Sequence, residues 1–423
     1  MTKGAIVSPR LAALERELVA GRSEALGLFW QEITERGAPL IEPVEGDEKH
    51  YYVTFLWRDT GAQGPLHNVV VFARLAAWKD PQKNQMTRLL DTDLWYRTYR
   101  VQADLRCTYL LSPNDPLTPP MKNWVNFISR MTVDPLNPHV FVHRRDPDIP
   151  DERELQFSIL ELPEAPPQPW NEPREGVARG HITHHRLRSE ILGNERSIWV
   201  YTPPGYTPEA EPYGLLLLFD GWAYLETVPT PTIIENMLSE EKIPPLVAVF
   251  VDSLKLPIRN RELPCYPPFV DFLTQELFPW LRQRYRVTED PARVIVGGSS
   301  YGGLAAAFVS LRAPEMFGNV LSMSGSFWWD KDPEDGIPQE WLTQQFLAHP
   351  RLPLRFYFEV GTKERSGFVD MIPGTRHLRD ILHLKGYEVY YHEFNGGHEY
   401  IVRRGALANG LLTLAGPWLS DAS

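Results

Sequence analysis

The chain has 423 residues, of which 43% are hydrophobic and 23% charged, and its formal net charge is −11 at pH 7. This length suits two domains, and the composition is that of a packed globular protein. The acidic balance argues against a nucleic-acid-binding surface, because phosphate binding requires a basic face. The two cysteines, Cys107 and Cys265, belong to no CxxC pair, so neither a disulfide framework nor a zinc site is predicted.

The N-terminal residues predict a short amphipathic helix. Leu11, Leu14 and Leu18 recur at helical spacing, and the apolar core of a secretion signal is not present around them. Since the sequence also contains no apolar run long enough for a membrane span, we predict a cytoplasmic protein with no membrane partner.

The first third of the chain predicts an all-β domain. Stretches such as HYYVTFLWRD (50–59), NVVVFARL (68–75) and LRCTYLL (105–111) alternate apolar and polar residues between turn residues. Such alternation is typical of half-buried antiparallel strands and indicates an immunoglobulin-like β-sandwich. The proline-rich stretch PEAPPQPWNEP then predicts a linker. We place the N-terminal domain at residues 1–165 and the linker at 166–180.

The remaining residues, 181–423, predict an α/β domain. Six stretches are typical of buried strands: RSIWVYTP, GLLLLFDG, LVAVFVDS, RVIVGGSS, NVLSMSGS and RFYFEVG. They alternate with the helical patterns FVDFLTQELFPWLRQRY, LAAAFVSLRA and RHLRDILHLKG. Strands and helices in alternation imply crossover connections and a largely parallel sheet that is covered on both faces.

The stretch VIVGGSSYGGLAAAF (294–308) contains a candidate nucleophile. Gly298, Ser300 and Gly302 form the pattern GxSxG between a predicted strand and a predicted helix. A serine on such a bend has a strained backbone, and its small neighbours avoid collisions with the adjoining strand and helix. Ser300 is the predicted nucleophile, with helix capping as the structural alternative. Ser299 is the weaker candidate, since a tyrosine stands where its second glycine would be.

A nucleophilic serine needs a base, and in this fold class the histidine follows the acid along the chain. His398, on the loop in EVYYHEFNGGHEY, is the predicted base, whereas His392 lies inside the preceding strand. Glu364 follows the strand RFYFEVG and is the predicted acid, which would orient the imidazole. Glu359, Asp370 and a serine–histidine pair without a third member remain alternatives, as does a solvated position for Glu364.

Two backbone amides are predicted to stabilise the oxyanion. Tyr301 follows the nucleophile at the start of a helix, and Trp222 follows the turn after the strand LLLLF. Trp222 is also a candidate for lining the pocket, with plain packing as the alternative. Phe327 and Trp328, in SGSFWW, are predicted either to form an aromatic wall for the substrate or to belong to the core.

A basic cluster in SLKLPIRNREL lies after a sheet strand, at the edge where ligands bind in such folds. It contains Lys255, Arg259 and Arg261, and guanidinium groups suit both anionic oxygens and flat aromatic rings. The cluster favours an anionic substrate with Arg259 as the main contact, and solvated charges paired with Glu262 are the alternative. The histidines of HITHHR (181–186) are interpreted as residues of an edge strand, so no metal site is predicted.

These stretches together resemble the enterochelin (enterobactin) esterase family, within the esterase D-like branch of the α/β-hydrolases. The resemblance covers nearly the whole chain, because LFWQEITERGAPLIEP and MTRLLDTDLWYRTYRV in the first third take part in it as well as LLLLFDGWAY and FNGGHEYIVRRGAL. It implies an α/β-hydrolase catalytic domain behind an all-β N-terminal domain. The GGHEY segment departs from many relatives, which have an aspartate and a tryptophan after the histidine.

The resemblance implies a cytoplasmic serine esterase that opens the tri-serine lactone of a catecholate siderophore, or of its ferric complex, so that iron is released. It assigns the nucleophile to Ser300, the histidine to His398 and an RxxEL element to Arg259, Glu262 and Leu263. No cofactor is implied, and iron enters only within the substrate.

Two other functions stay open at this point. The same triad serves a general carboxylesterase, acyltransferase or thioesterase, because a fold does not fix a substrate. A catecholate-siderophore-binding protein with a vestigial triad would keep the same fold without turnover.

Overall fold

The structure is a computed structural model that describes residues 6–61, 64–75, 80–118, 127–331, 340–366 and 369–422. The chain forms two compact units, each assembled from separate segments. The first consists of Met1–Val142, Leu155–Pro166 and Asn395–Ile401, and the second of His143–Glu154, Pro167–Phe394 and Val402–Ser423. One division falls between Pro166 and Pro167, inside the proline-rich stretch.

The first unit contains two four-stranded sheets. Its strands are β1 (Leu40–Val44), β2 (Asp47–Arg58), β3 (Val69–Ala73), β4 (Thr87–Arg88), β5 (Leu94–Gln102), β6 (Arg106–Pro113), β7 (Val140–His143) and β8 (Leu155–Glu161). One sheet has the order β1-β2-β5-β4 and the other the order β3-β6-β8-β7. The central pairs β2–β5 and β3–β6 are antiparallel.

Alternation along β2 determines which side chains enter which core. Val53, Phe55 and Trp57 pack with residues of β3 and β6 between the two sheets. Leu56 points the other way, against helices α1 (Pro9–Val19) and α2 (Ala25–Arg36). The β-sandwich is therefore confirmed, as is the helix predicted from the leucine spacing at the N-terminus, and α2 adds to the cover of the outer face.

The second unit contains an eight-stranded sheet. Its strands are β9 (His181–Ser189), β10 (Asn194–Thr202), β11 (Gly214–Phe219), β12 (Leu246–Val251), β13 (Val294–Ser300), β14 (Asn319–Gly325), β15 (Arg355–Gly361) and β18 (Glu388–Phe394). The two-residue strands β16 (Arg365–Ser366) and β17 (Val369–Asp370) pair with each other in a separate small sheet. The order of the eight-stranded sheet is β18-β15-β14-β13-β11-β12-β10-β9. The six strands from β18 to β12 are parallel, and β10 and β9 join antiparallel.

The helices of the second unit follow the strands as the sequence predicts. They are α3 (Thr230–Ser239), α4 (Leu256–Glu262), α5 (Pro267–Asp271), α6 (Phe278–Arg282), α7 (Tyr301–Arg312), α8 (Trp341–Ala348), α9 (Met371–Leu384) and α10 (Tyr400–Leu414), with π-helical turns at Ala223–Thr227 and Phe272–Leu277. Every residue of β11, β12 and β14 is buried, as expected for a parallel sheet that is covered on both faces. Within the described residues, no helix has the length and apolar character that crossing a bilayer requires.

The parallel strands of this sheet bring several predicted site residues to one edge. Ser300 ends β13, Trp222 follows β11, and Glu364 follows β15. Because carboxyl ends of parallel strands lie at the same edge, this edge is where ligands bind in open α/β sheets.

Candidate active site

Ser300 lies at a sharp bend between β13 and α7. Its backbone dihedrals are φ 57° and ψ −121°, a combination that a residue with a side chain rarely adopts. A Cβ on Gly298 would lie 2.9 Å from the carbonyl carbon of Gly302, and one on Gly303 would lie 2.5 Å from Oγ of Ser322. Neighbouring backbone therefore comes too close for any larger residue at position 298, which accounts for the first glycine of GxSxG.

The two serines of the bend differ in their accessibility. Ser299 is 6% exposed, whereas Ser300 is only half-buried. The Ser300 hydroxyl lies 3.3 Å from the Ser326 hydroxyl, and the amide of Ser326 donates to the Ser300 carbonyl over 3.0 Å. This arrangement suits Ser300 as the nucleophile and Ser299 as part of the bend.

The two amides predicted for the oxyanion hole both lie where helical turns begin. Tyr301 is the first residue of α7, and Trp222 precedes the π-helical turn Ala223–Thr227. Amides at the start of a helix have no acceptor within it, so they are available to an external oxygen. A Cβ on Gly221 would lie 2.8 Å from the carbonyl carbon of Phe250, so the chain reaches Trp222 through a position that only glycine fits.

A partly buried ion pair that the sequence did not predict adjoins this bend. Asp220 has a positive φ of 57° and accepts hydrogen bonds from Nε and Nη2 of Arg259 at 2.6 and 2.7 Å. Oδ2 of Asp220 would lie 3.4 Å from a Cβ on Gly302, and the Arg259 guanidinium carbon is 5.8 Å from the centre of the Tyr301 ring. Arg259 is thus held in a fixed orientation beside the first turn of α7.

Glu364 is buried in a second polar cluster. Its carboxylate accepts hydrogen bonds from the Ser324 hydroxyl at 2.5 Å and from the amide of Gly361 at 2.9 Å. Arg403, from α10, donates to the Ser324 hydroxyl at 2.7 Å and to the carboxylate at 3.5 Å. The side chains of Arg403 and Glu364 are 2% and 0% exposed, so this carboxylate is fixed, charge-paired and not a solvated loop residue.

The other candidates for the acid have structural partners. The hydroxyl of Tyr357 donates to Glu359 at 2.7 Å, and Nδ1 of His392 lies 3.8 Å from the same carboxylate. Hydrogen bonding to Glu359 raises the pKa of His392. Asp370 accepts a hydrogen bond from the amide of Ile372 at the start of α9. These contacts favour Glu364.

The predicted substrate contacts divide into buried and accessible groups. Phe327 is fully buried against Phe358, with ring centres 5.3 Å apart, so in this structure it belongs to the core. Trp328 is half-buried, with its ring 6.2 Å from that of Tyr301. Lys255 is exposed, and Arg261 donates to the buried carboxylate of Glu262 at 2.8 Å while its side chain stays 55% exposed.

His398 lies on the loop between β18 and α10, and this loop groups with the first unit. The histidine is half-buried. On either side of it, Asn395 donates to Asp104 at 2.7 Å, and the carboxylate of Glu399 accepts from the amide of Thr108 at 3.1 Å and from its hydroxyl. The sequence pattern predicts His398 as the base but gives no sign of the residues that hold its loop.

The histidines of HITHHR lie on the edge strand β9, as interpreted from the sequence. His184 contacts the Ser197 hydroxyl at 2.8 Å and His185 the Tyr285 hydroxyl at 2.7 Å. Across the residues that the structure describes, no group of three or more histidine, cysteine, aspartate or glutamate side chains has the arrangement of a metal site.

Comparison with known proteins gives a consistent result. A family model of putative esterases matches residues 189–414, and one of the N-terminal domain of enterochelin esterases matches residues 52–171. An iron(III) salmochelin esterase of Escherichia coli O6:H1 (strain CFT073) is 30% identical over 421 residues, which is 96% of this chain and 98% of that protein.

Two solved structures are similar to this chain over most of its length. A crystal structure of a ferric enterobactin esterase from Salmonella typhimurium has a TM-score of 0.77 and 28% identity, covering 93% of this chain and 100% of that one. That of an enterobactin esterase from Shigella flexneri, obtained in the presence of enterobactin, has a TM-score of 0.73 and 27% identity over 90% and 97% of the two chains. The predicted fold class and family resemblance are confirmed: the chain belongs to the enterochelin esterase family.

Proposed function

We propose that this protein is a serine esterase that hydrolyses the seryl ester bonds of a catecholate siderophore such as enterobactin, either free or as its ferric complex. The observation that carries the proposal is the strained backbone of Ser300 between β13 and α7. It occurs in a chain whose two halves match the esterase and the enterochelin esterase N-terminal family models. The salmochelin and enterobactin esterases to which the chain is similar are named for siderophores of this class.

The proposed chemistry is acyl transfer to Ser300. His398 takes the proton from the Ser300 hydroxyl as the oxygen attacks an ester carbonyl, and the amides of Trp222 and Tyr301 stabilise the oxyanion. His398 then protonates the departing seryl alkoxide, which leaves an acyl-enzyme. His398 then takes a proton from a water molecule as its oxygen attacks the acyl-enzyme carbonyl. The acyl–oxygen bond to Ser300 breaks, and His398 gives this proton to the Ser300 oxygen as the acid product leaves.

Glu364 is the proposed acid of the triad. A carboxylate in this role stabilises the imidazolium that forms when the histidine takes up the serine proton. Its contacts with Ser324, Gly361 and Arg403 support the role, because they fix the carboxylate and place an opposite charge beside it. A fixed carboxylate lowers the reorganisation needed in the transition state.

Charge at the sheet edge supports an anionic substrate. The whole chain is acidic, yet Lys255, Arg259 and Arg261 lie close together in sequence after β12. Arg259 is neutralised in part by Asp220, which fixes its plane beside Tyr301. We propose that this guanidinium contacts catecholate oxygens, that Lys255 and Arg261 add attraction from the rim, and that Trp328 lines the site.

The proposal includes a cytoplasmic location, where iron from an imported complex would be released. It requires no resident cofactor, because proton transfer and acyl transfer are carried by side chains and amides, and iron arrives within the substrate.

The decisive experiment is chromatographic analysis of products after incubating the purified protein with ferric and with iron-free enterobactin. The wild-type protein should release linear trimer, dimer or monomer. Ser300→Ala should abolish release, and the neighbouring Ser299→Ala serves as the matched control, which should keep most activity because Ser299 is buried beneath the bend.

The other outcomes are informative. Hydrolysis of short p-nitrophenyl esters without cleavage of any siderophore would identify a general carboxylesterase. Tight binding of the catecholate without cleavage, unchanged in Ser300→Ala, would identify a binding protein with a vestigial triad. Retained cleavage in Ser300→Ala would remove this serine from the mechanism.

A further inference from the structure

Residues on both sides of His398 form hydrogen bonds with residues of the first unit in and near β6. Asn395 donates to the carboxylate of Asp104, in the turn between β5 and β6, at 2.7 Å. Glu399 accepts from the amide of Thr108 on β6 at 3.1 Å, and the Thr108 hydroxyl donates to the same carboxylate oxygen. These residues all belong to the first unit.

A third contact lies between these two. A Cβ on Gly397 would be 2.2 Å from Cδ of Arg74, so the Arg74 side chain packs directly on the Gly397 backbone. Arg74 follows β3, whose last residue, Ala73, pairs with Tyr109 of β6. Arg74, directly after β3, and Thr108, on β6, each lie one residue beyond this pair, and together they contact both sequence neighbours of His398.

The chemistry of the loop explains why such contacts matter. Gly396 and Gly397 precede the histidine, and glycine has more conformational freedom to lose than any other residue. A histidine on a glycine pair is poorly fixed by its own backbone. Two hydrogen bonds to one carboxylate are charge-assisted and directional, so Thr108 limits the positions that Glu399, and hence His398, can take.

We propose that Thr108, Asp104 and Arg74 are positioning residues for His398, and that the first unit contributes to catalysis by holding the loop 395–399. The inference rests on the proposed role of His398 as general base. Displacing a catalytic group by about 1 Å can cost about 100-fold in rate. The effect belongs in kcat, because none of these side chains has a proposed contact with the substrate.

The test is steady-state hydrolysis of ferric enterobactin by Thr108→Val and Thr108→Ser. Valine keeps the shape and burial of threonine but loses the donor, so kcat should fall roughly 10-fold with KM unchanged. Serine keeps the hydroxyl and should restore most of kcat. Thr54→Val, which removes a buried threonine hydroxyl from the other sheet of the same unit, is the matched control and should leave both constants unchanged.

A second variant covers the case in which Thr108→Val fails to fold. Asp104 is exposed, so Asp104→Ala can be made without disturbing a core, and its kcat should fall a few-fold at constant KM. Wild-type kcat in both Thr108→Val and Asp104→Ala would overturn the inference, as would an equal loss in Thr108→Ser and Thr108→Val. Such a result leaves the proposed function standing if Ser300→Ala is inactive, whereas activity in His398→Ala would remove the assigned base itself.

Discussion

The bend around Ser300 and the loop around His398 differ in what fixes the position of each residue. Ser300 is fixed by main chain: a parallel strand ends, a helix begins at the next residue, and glycines let the backbone segments touch. His398 follows two glycines, which have the largest conformational freedom to lose, and side chains of the first unit contact the residues on either side of it. Two groups with proposed roles in one reaction are therefore fixed by very different parts of the chain.

Because the bend is fixed by backbone and the loop by side chains, we expect added methyl groups to lower activity more at the bend than at the loop. Around the bend, a single added methyl group meets backbone, which cannot move without disturbing the sheet. Around the loop, an added methyl group meets a side chain, which can move. Substitutions at both places test this contrast, beginning with the largest effect.

Gly298→Ala should be the most damaging substitution of a residue with no chemical role. The new Cβ would lie 2.9 to 3.1 Å from three backbone atoms of Gly302, so Ser300 must shift. We expect a loss in kcat on the order of 100-fold or more, since displacement of about 1 Å has that effect. Hydrolysis assays with the melting temperature checked in parallel measure it.

Gly27→Ala is the matched control, because nothing lies within 4 Å of a Cβ at that exposed position in α2. It should leave kcat unchanged and raise stability slightly, by up to about 1 kcal/mol, as alanine favours helix. Normal activity in Gly298→Ala would show that the bend tolerates movement.

Glu364→Gln tests whether the carboxylate next to Arg403 is the acid. The amide keeps an acceptor but loses the charge that stabilises the imidazolium, so kcat should fall roughly 100-fold. Glu359→Gln is the comparison, because Glu359 is the rival and contacts His392. Stopped assays of both variants at equal protein concentration give the answer.

Removing the charge of Glu364 also removes its buried ion pair with Arg403, so the melting temperature should drop. Activity must therefore be measured well below that temperature. A larger loss of kcat in Glu359→Gln than in Glu364→Gln would reassign the acid.

Gly397→Ala is the corresponding substitution in the loop that bears His398. Its Cβ meets the middle of the Arg74 side chain, at 2.2 Å from Cδ, and not backbone. Arg74 can swing away, so we expect a loss in kcat of only about 10-fold, less than for Gly298→Ala.

The double variant Gly397→Ala with Arg74→Ala makes the cause measurable. If the contact with Arg74 is responsible, the two changes should be non-additive in kcat, as expected for residues that touch. Strict additivity would mean that the glycine matters for another reason.

The substitution with the smallest expected effect on activity is at Asp134, a carboxylate of the first unit that lies outside the loop 395–399. Burial raises the pKa of Asp134 from 3.8 to about 6, although the Leu136 amide and the Tyr109 hydroxyl donate to it. The folded state then binds a proton more tightly than the unfolded state. This group therefore favours folding below pH 4, and the contribution is lost as the pH rises through about 6.

Asp134→Asn should remove this loss of folding stability at higher pH without changing kcat. The variant should unfold in urea with a free energy about equal to wild type near pH 4 and higher by on the order of 2 kcal/mol at pH 7.5. Urea titrations at several pH values measure the difference. A wild-type stability that increases between pH 4 and 7 relative to the variant would contradict a raised pKa for Asp134.

Much of this fold follows from sequence periodicity. Alternation in HYYVTFLWRD and the apolar run in LVAVFVDS predict β2 and β12, since half-buried and fully buried strands have different patterns. The spacing of Gly298, Ser300 and Gly302 between a strand and a helix likewise predicts the bend. These features are local, so neighbouring residues contain the information.

Contacts between residues that are distant in the sequence do not follow from such local patterns. Asp220 and Arg259 are 39 positions apart, and Thr108 and Glu399 are 291 positions apart, so no spacing rule connects them. Phe327 and Trp328 show a different limit. They are adjacent and chemically alike, yet one is buried and the other accessible, because the turn after β14 decides which ring enters the core.

The division of the first unit among three chain segments has a consequence for biosynthesis. A ribosome completes the sandwich strands long before it reaches Asn395–Ile401, the segment that finishes this unit. At about 5 to 20 residues per second, the stretch from Pro167 to Phe394 takes roughly 10 to 50 s to synthesise. During that interval the segment Asn395–Ile401 does not yet exist, so its contacts with Arg74, Asp104 and Thr108 can form only after the residues up to Phe394 have been synthesised.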